Sequence, residues 1–328
     1  SLNKPDRDLL ERRVREAISM ARASAKLRKK PIRFSEEKAH EASWEAKAKE
    51  PAEEVPIEEK MELLFDIDKL LTSREEVGTN VPFRLLELIE NTTERYFVNS
   101  EGARISCRVP RLEFLSVATA FEPNKGTEQD MVQEGASRGW EFIRELKPLE
   151  LLRERLRAIG KVLKEGVSPP KGTIDIILGS EVVGLMVHES CGHPYEADRI
   201  MGREAAQAGE SFVSIDMLGQ RIGSEAVTVV DDPTLEGSYG FYLYDDEGVK
   251  ARRRYLIKNG VINEFLHNRE TAAALGISSN AAARASGYNR EPIVRMANTF
   301  MLPGDHEFEE LVEDVKLGVY IKTFGEWN

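Results

Sequence analysis

The sequence predicts an α+β fold: an N-terminal α/β domain made of an antiparallel meander and helices, then a sheet-rich C-terminal domain carrying a buried motif helix. Three observations predict it. Apolar residues recur at helical spacing in 5–30 and 149–164, whereas segments within 83–120 and 212–302 are short, rich in strand-forming residues and separated by turn-prone ones. Between them, residues 166–172 (GVSPPKG) form the clearest linker in the chain. The expected division is therefore an N-terminal domain at 1–165, the linker, and a second domain at 173–328.

Taken in order, Leu9, Leu10, Val14, Ala17, Ile18 and Ala21 place one apolar stripe on a helix over 5–30. Residues 35–54 are rich in Glu, Ala and Lys, which suits an exposed helix or a linker over about 35–55. Pro56 opens a second helix whose buried stripe is Met61, Leu64, Leu70 and Leu71. Segments 83–89, 95–98, 104–108 and 113–120 read as the strands of the meander, and helices are expected at 130–145 and 149–164.

Past the linker, 174–178 reads as a buried strand. Gly179 and Ser180 turn the chain into a helix, with Ser180 as its N-cap. Strands follow at 212–215, 226–230, 241–244, 253–257, 261–266 and 293–302. Asn259-Gly260 makes a tight hairpin turn because both residues accept positive φ. Short helices are expected at 271–275, stopped by Gly276, and at 307–317, stopped by Gly318.

Composition narrows the function. A net charge of −11 over 328 residues argues against a nucleic-acid surface spread over the protein. The two cysteines, Cys107 and Cys191, are too few for a disulfide framework and point to a cytoplasmic setting. No apolar segment approaches the length of a membrane span, so no membrane partner is expected.

The chemistry concentrates in HESCGHPYEAD, residues 188–198. A glutamate directly after the first of two histidines resembles the zinc-peptidase pattern H-E-x-x-H, in which imidazoles hold zinc and the glutamate is general base. This reading makes His188 and His193 zinc ligands and Glu189 the base. The spacing is one residue longer. On a regular helix, positions i and i+5 point roughly 140° apart, so both rings reach one metal only if the helix is distorted. Gly192, permissive in backbone angle, and Pro194, which disfavours helical φ/ψ at His193, predict a π-bulge or break near Gly192. The plain alternative is a buried helix with two satisfied histidines.

The same residues resemble the TldD branch of the TldD/PmbA family, known as modulators of DNA gyrase and as zinc metallopeptidases with an H-E-x-x-x-H motif. Residues 227–249, 256–276, 296–305 and 315–325 are similar to family blocks in the same order. The resemblance implies zinc-dependent cleavage of unfolded or extended peptides. It also implies a PmbA-like partner subunit, with a homodimer as the other arrangement, and a third zinc ligand, a cysteine, lying beyond residue 328 in a longer chain. Within the chain, Cys191, Glu196, Asp198 and His267 are candidates for that ligand. Glu196 and Asp198 are also candidates for orienting the histidines.

His267, in a segment similar to the family's H-x-R pattern, is a candidate for binding the substrate carbonyl by N–H donation, against a structural role at a strand end. Asp231-Asp232 and Asp245-Asp246 read as turn caps, Arg252-Arg253-Arg254 as a solvated strand edge, and His40 and His306 as exposed. Two other functions compete with the peptidase: a non-catalytic regulatory or binding protein of the gyrase-modulator type, and a structural metal site.

Overall fold

The computed structural model describes residues 6–28, 31–203 and 211–323. The first helix, α1 (Arg7–Leu27), starts where Asp6 accepts the Leu9 amide at 2.7 Å. Its expected stripe is not covered: no residue of α1 is buried, and Leu10 is 54% exposed. Next come β1 (Glu41–Glu45), α2 (Ile57–Thr72), α3 (Arg74–Val77) and three long strands, β2 (Asn80–Val98), β3 (Arg104–Glu122) and β4 (Gly126–Ala136). Helices α4 (Glu141–Leu146) and α5 (Pro148–Glu165) complete this part.

β3 is the centre of the sheet. It pairs antiparallel with β2, Leu88 opposite Phe114, and antiparallel with β4, Leu112 opposite Ala136. β1 lies parallel to its first half, Trp44 opposite Cys107. The four expected meander strands are thus two continuous ones. Pro110 does not interrupt β3, where it stands opposite Thr92. The side chains of β3 alternate, so Leu112, Phe114 and Ala118 meet Ile67, Leu70 and Leu71 of α2 and Leu152 and Leu156 of α5 in one core. Within the predicted stripe of α2, Met61 is exposed and Ile67 takes its place in the core.

Two expectations fail here for one reason. Residues 35–55 are not a free helix or linker: β1 is zipped onto β3, and the amides of Lys49 and Glu50 are bound by the buried Glu141 carboxylate at 3.1 and 3.0 Å. The helix expected at 130–145 is β4 followed by the short α4. Asp130 and Val132 are buried in strand alternation, and Arg155 of α5 holds Asp130 at 2.8 Å. Long-range pairing overrides a local pattern with little strand character.

Residues 166–171 then run exposed without regular structure to β5 (Asp175–Leu178). β5 is not the buried strand expected: Ile176 is 57% exposed, and the only sheet partner of β5 among the described residues is β12 (Gly318–Ile321), parallel to it. The elements between are α6 (Ser180–Val187), α7 (Ala197–Ile200), β6 (Val229–Asp231), β7 (Arg254–Lys258), β8 (Val261–Ile262), α8 (Arg269–Leu275), β9 (Ala283–Arg284), β10 (Ile293–Val294), β11 (Thr299–Met301) and α9 (Phe308–Glu313).

An antiparallel sheet in the order β11-β6-β7-β8 backs a second core of Val187, Tyr195, Val229, Leu256, Ile262, Phe265 and Met296. The strands are shorter than the sequence suggests. Residues 212–215 and 241–244 form no strand, and 293–302 is split into β10 and β11. The hairpin between β7 and β8 is as expected, with Asn259 at φ 49° and Gly260 at φ 73°. Gly276 ends α8 at φ 68°, whereas α9 stops at Glu313, short of Gly318. Residues 324–328, where the last expected family block ends, lie outside the described residues.

Arg254 corrects the reading of its run as a solvated edge. It is fully buried in β7 and ion-paired to the equally buried Asp231 of β6 at 2.5 Å. Asp231 also accepts from the Ala297 amide and the Thr299 hydroxyl, so it joins strands rather than capping a turn. Asp232 does cap, holding the Thr234 amide at 2.8 Å. Among the described residues no helix is long and apolar enough to cross a membrane.

Candidate metal centre

α6 begins after Gly179, which is its N-cap in place of Ser180 and uses no side chain to cap. A side chain at residue 179 would press on the Lys322 carbonyl, 2.6 Å from an added Cβ, so the glycine lets β12 close over the helix start. Val182 and Val187 turn inward, but the helix is only half covered. His188 and Glu189 are therefore not carried into the interior: their side chains are 47% and 41% exposed, and that of His193 is 27% exposed.

Residues His188–Gly192 form a π turn, and the His193 amide donates to the His188 carbonyl five residues back. The distortion expected from the spacing is present, by a different route. His193 keeps helical angles, φ −54° and ψ −44°, despite Pro194, and Gly192 has no positive φ. Gly192 is needed for space instead: an added Cβ would stand 1.8 Å from Sδ of the buried Met296. The wider π turn brings positions i and i+5 back to one side of the helix. A 3₁₀ turn, His193–Tyr195, then carries the chain into α7.

The consequence is a cluster. Metal-competent atoms of His188, Glu189 and His193 all lie within 4.8 Å of one another. The two rings stand edge to face with centroids 4.8 Å apart, and Nε2 of His188 is 3.9 Å from Oε1 of Glu189. Burial, and then the neighbouring His193, hold the His188 pKa below its ordinary value, which favours the neutral imidazole a metal requires. Nδ1 of His193 is 3.2 Å from Oε1 of Glu196. With Nδ1–H donated there, Nε2 is left with its lone pair free. Two imidazoles and a carboxylate open to solvent on one face are a donor set that fits a divalent transition metal.

The other candidates lie outside this cluster. Glu196 is fully buried; its second oxygen receives Nε of Arg199 and, at 3.4 Å, Nη1 of Arg295. Asp198 spends one oxygen on the Arg199 amide and the other on the Val294 amide, so it ties α7 to β10. Cys191 packs at the margin of the second core, and burial raises its thiol pKa. His267 is 3% exposed, with Nδ1 3.2 Å from the Thr271 hydroxyl and its amide donated to Asn280 at 2.8 Å. Burial pushes its pKa down to about 4.

Two supporting residues went unrecognised in the sequence. Arg199 had a signal, its i+3 spacing from Glu196; Met296, about a hundred positions from the motif, had none.

Comparison with known proteins gives the family. Residues 50–165 match the family model described as the PmbA/TldA metallopeptidase central domain, and residues 171–328 the one described as the PmbA/TldA metallopeptidase C-terminal domain. A metalloprotease of Methanocaldococcus jannaschii is 36% identical over 317 residues, covering 95% of this chain and 66% of its own length. A zinc metalloprotease TldD homolog of Saccharolobus solfataricus is 35% identical over 48% of this chain and 34% of its own. The chain thus spans no more than two thirds of either relative. In fold it is similar to TldE from Thermococcus kodakarensis, with a TM-score of 0.67 at 20% identity over 96% of this chain and 68% of that one. Two family domains in sequence, and an H-E-x-x-x-H cluster closed by a π turn, place the chain in the PmbA/TldD metallopeptidase family.

Proposed function

We propose that the chain carries the catalytic centre of a zinc-dependent peptidase acting on unfolded or extended peptides. The observation that carries this reading is the convergence of His188, Glu189 and His193 across the π turn. In it, His188 and His193 hold the zinc, with a cysteine outside this chain as a further ligand. Zinc, when bound, supplies Lewis acidity toward a carbonyl and a water. Glu189, half exposed beside His188, takes the proton of the attacking water and passes it to the leaving amine. Glu196 orients His193. His267, one residue beyond the bridge that pairs Glu196 with Leu266, supports that segment from within and meets substrate only if its buried ring is uncovered.

β11 packs beside α6 and the π turn and is an edge of its sheet. An extended peptide added to that edge is bound through main-chain groups, which suits a substrate defined by conformation more than by sequence. In this reading the partner is a PmbA-like subunit, with a homodimer as the other arrangement.

The test is zinc content and hydrolysis of an unfolded polypeptide by the full-length protein with its partner, for wild type and Glu189→Gln. Retained zinc with cleavage lost in the variant is the expected result. Cleavage at the wild-type rate by Glu189→Gln overturns the role of Glu189, and stoichiometric zinc without cleavage by the wild type assigns a structural metal instead.

A further inference from the structure

A cleft of about 300 Å³ opens between the sheet β1–β3 and the segments 241–246 and 283–286, and none of the three metal-centre residues lines it. Three arginines reach its walls: Arg95 of β2, Arg111 of β3 and Arg284 of β9. Arg95 is neutralised by an ion pair with Asp246, whose other oxygen binds the Ala285 amide at 2.7 Å. Asp245 is taken up by the amides of Glu247, Val249 and Ala283.

Arg111 and Arg284 have no carboxylate oxygen within 4.0 Å among the described residues. Their contacts are neutral. Nε of Arg111 donates to the Tyr239 carbonyl at 3.0 Å and its guanidinium lies 6.0 Å from the Tyr239 ring. Nη1 of Arg284 donates to the Met296 carbonyl at 2.5 Å, and its guanidinium lies 5.8 Å from the Tyr242 ring. In the same wall, the indole N–H of Trp44 is buried without an acceptor. The cleft therefore has an excess of donors and of positive charge. Burial, then Arg284, press the Arg111 pKa below its ordinary value, so the two guanidiniums sense each other. Half-buried like charges are destabilising until an anion sits with them, and a guanidinium fork matches an oxyanion in shape as well as charge.

We propose that this cleft is an anion-binding site in which Arg111 and Arg284 hold a carboxylate or phosphate group of a small ligand. The aromatic wall formed by Trp44, Phe241 and Tyr242 suits a ligand with an apolar or planar body. None of His188, Glu189 and His193 lines the cleft, and the link between the two places is Met296, whose carbonyl Arg284 holds and whose Sδ packs on Gly192. Arg111 has no such link, so its variant separates anion binding from peptidase activity.

The experiment is calorimetric titration of the protein with sodium phosphate and, in a second arm, sodium benzoate, each against sodium chloride at equal ionic strength. Saturable binding of one molecule per chain is expected in at least one arm, and the tighter arm identifies the ligand as phosphorylated or as an aromatic-bodied carboxylate. Arg111→Gln and Arg284→Gln each weaken that binding roughly tenfold or more. Unchanged affinity in either variant overturns the assignment, as does a wild type that binds neither anion beyond chloride. A readout needing no variant is hydrogen exchange of the wild type. The anion should protect amides in 107–111 and 283–286, and protection confined to other segments also overturns the proposal.

Discussion

Nδ1 of His193 sits 3.2 Å from Oε1 of Glu196, a carboxylate fully withdrawn from solvent and held from its other side by Arg199. This contact, with Nη2 of Arg199 3.5 Å from the same nitrogen, holds the ring in place. Glu196→Gln keeps the shape but loses the charge, and zinc affinity should fall roughly ten- to a hundredfold. Competition against a chelator, with circular dichroism to confirm the fold, measures it; an unchanged affinity removes Glu196 from the site.

Gly192 and Gly184 make opposite predictions. At Gly192 a methyl group collides with buried Met296, so Gly192→Ala should cost about 1–3 kcal/mol and loosen the π turn. Around Gly184, within α6, an added Cβ meets nothing within 4 Å, so Gly184→Ala should stabilise by about 0.5–1 kcal/mol. Urea unfolding of the two variants side by side checks the signs.

The buried pair of Asp231 and Arg254 stitches β6 to β7. Asp231→Asn keeps one acceptor oxygen for Ala297 and Thr299 but turns an amide NH2 toward Arg254, which loses its counter-charge, at a cost of about 3–5 kcal/mol. Removing the cation too, in Asp231→Asn with Arg254→Met, should cost less than the two single changes added together. A double-mutant cycle from urea midpoints reads the coupling.

His267 gives stability a pH signature. Its folded pKa, about 4, lies below the ordinary 6.5, so the unfolded chain binds the extra proton first. The contribution is complete above 6.5 and is lost as pH falls from there to about 4, at up to about 1.4 kcal/mol per pH unit. Asp245 works the other way, because burial raises its pKa from 3.8 to about 7, and stability from it is lost as pH rises across that range. The difference in unfolding free energy between wild type and His267→Gln isolates the histidine. It should shrink from pH 7 to pH 4, and a difference independent of pH contradicts the burial argument.

The sequence by itself determined what depends on neighbours along the chain. Helix α5 follows from its apolar stripe, the β7–β8 turn from Asn259-Gly260, and the need for a distorted helix from the five-residue step between His188 and His193. Tertiary structure decided what depends on distant partners. β1 and β4 are strands because β3 pairs with them, Arg254 is buried because Asp231 meets it across two strands, and Gly192 is required because Met296 occupies the space where a side chain would go. Local patterns record torsional preference and periodic burial. They carry no record of which far residue supplies the hydrogen bond, the counter-charge or the steric wall, and at the candidate metal centre that wall is Met296.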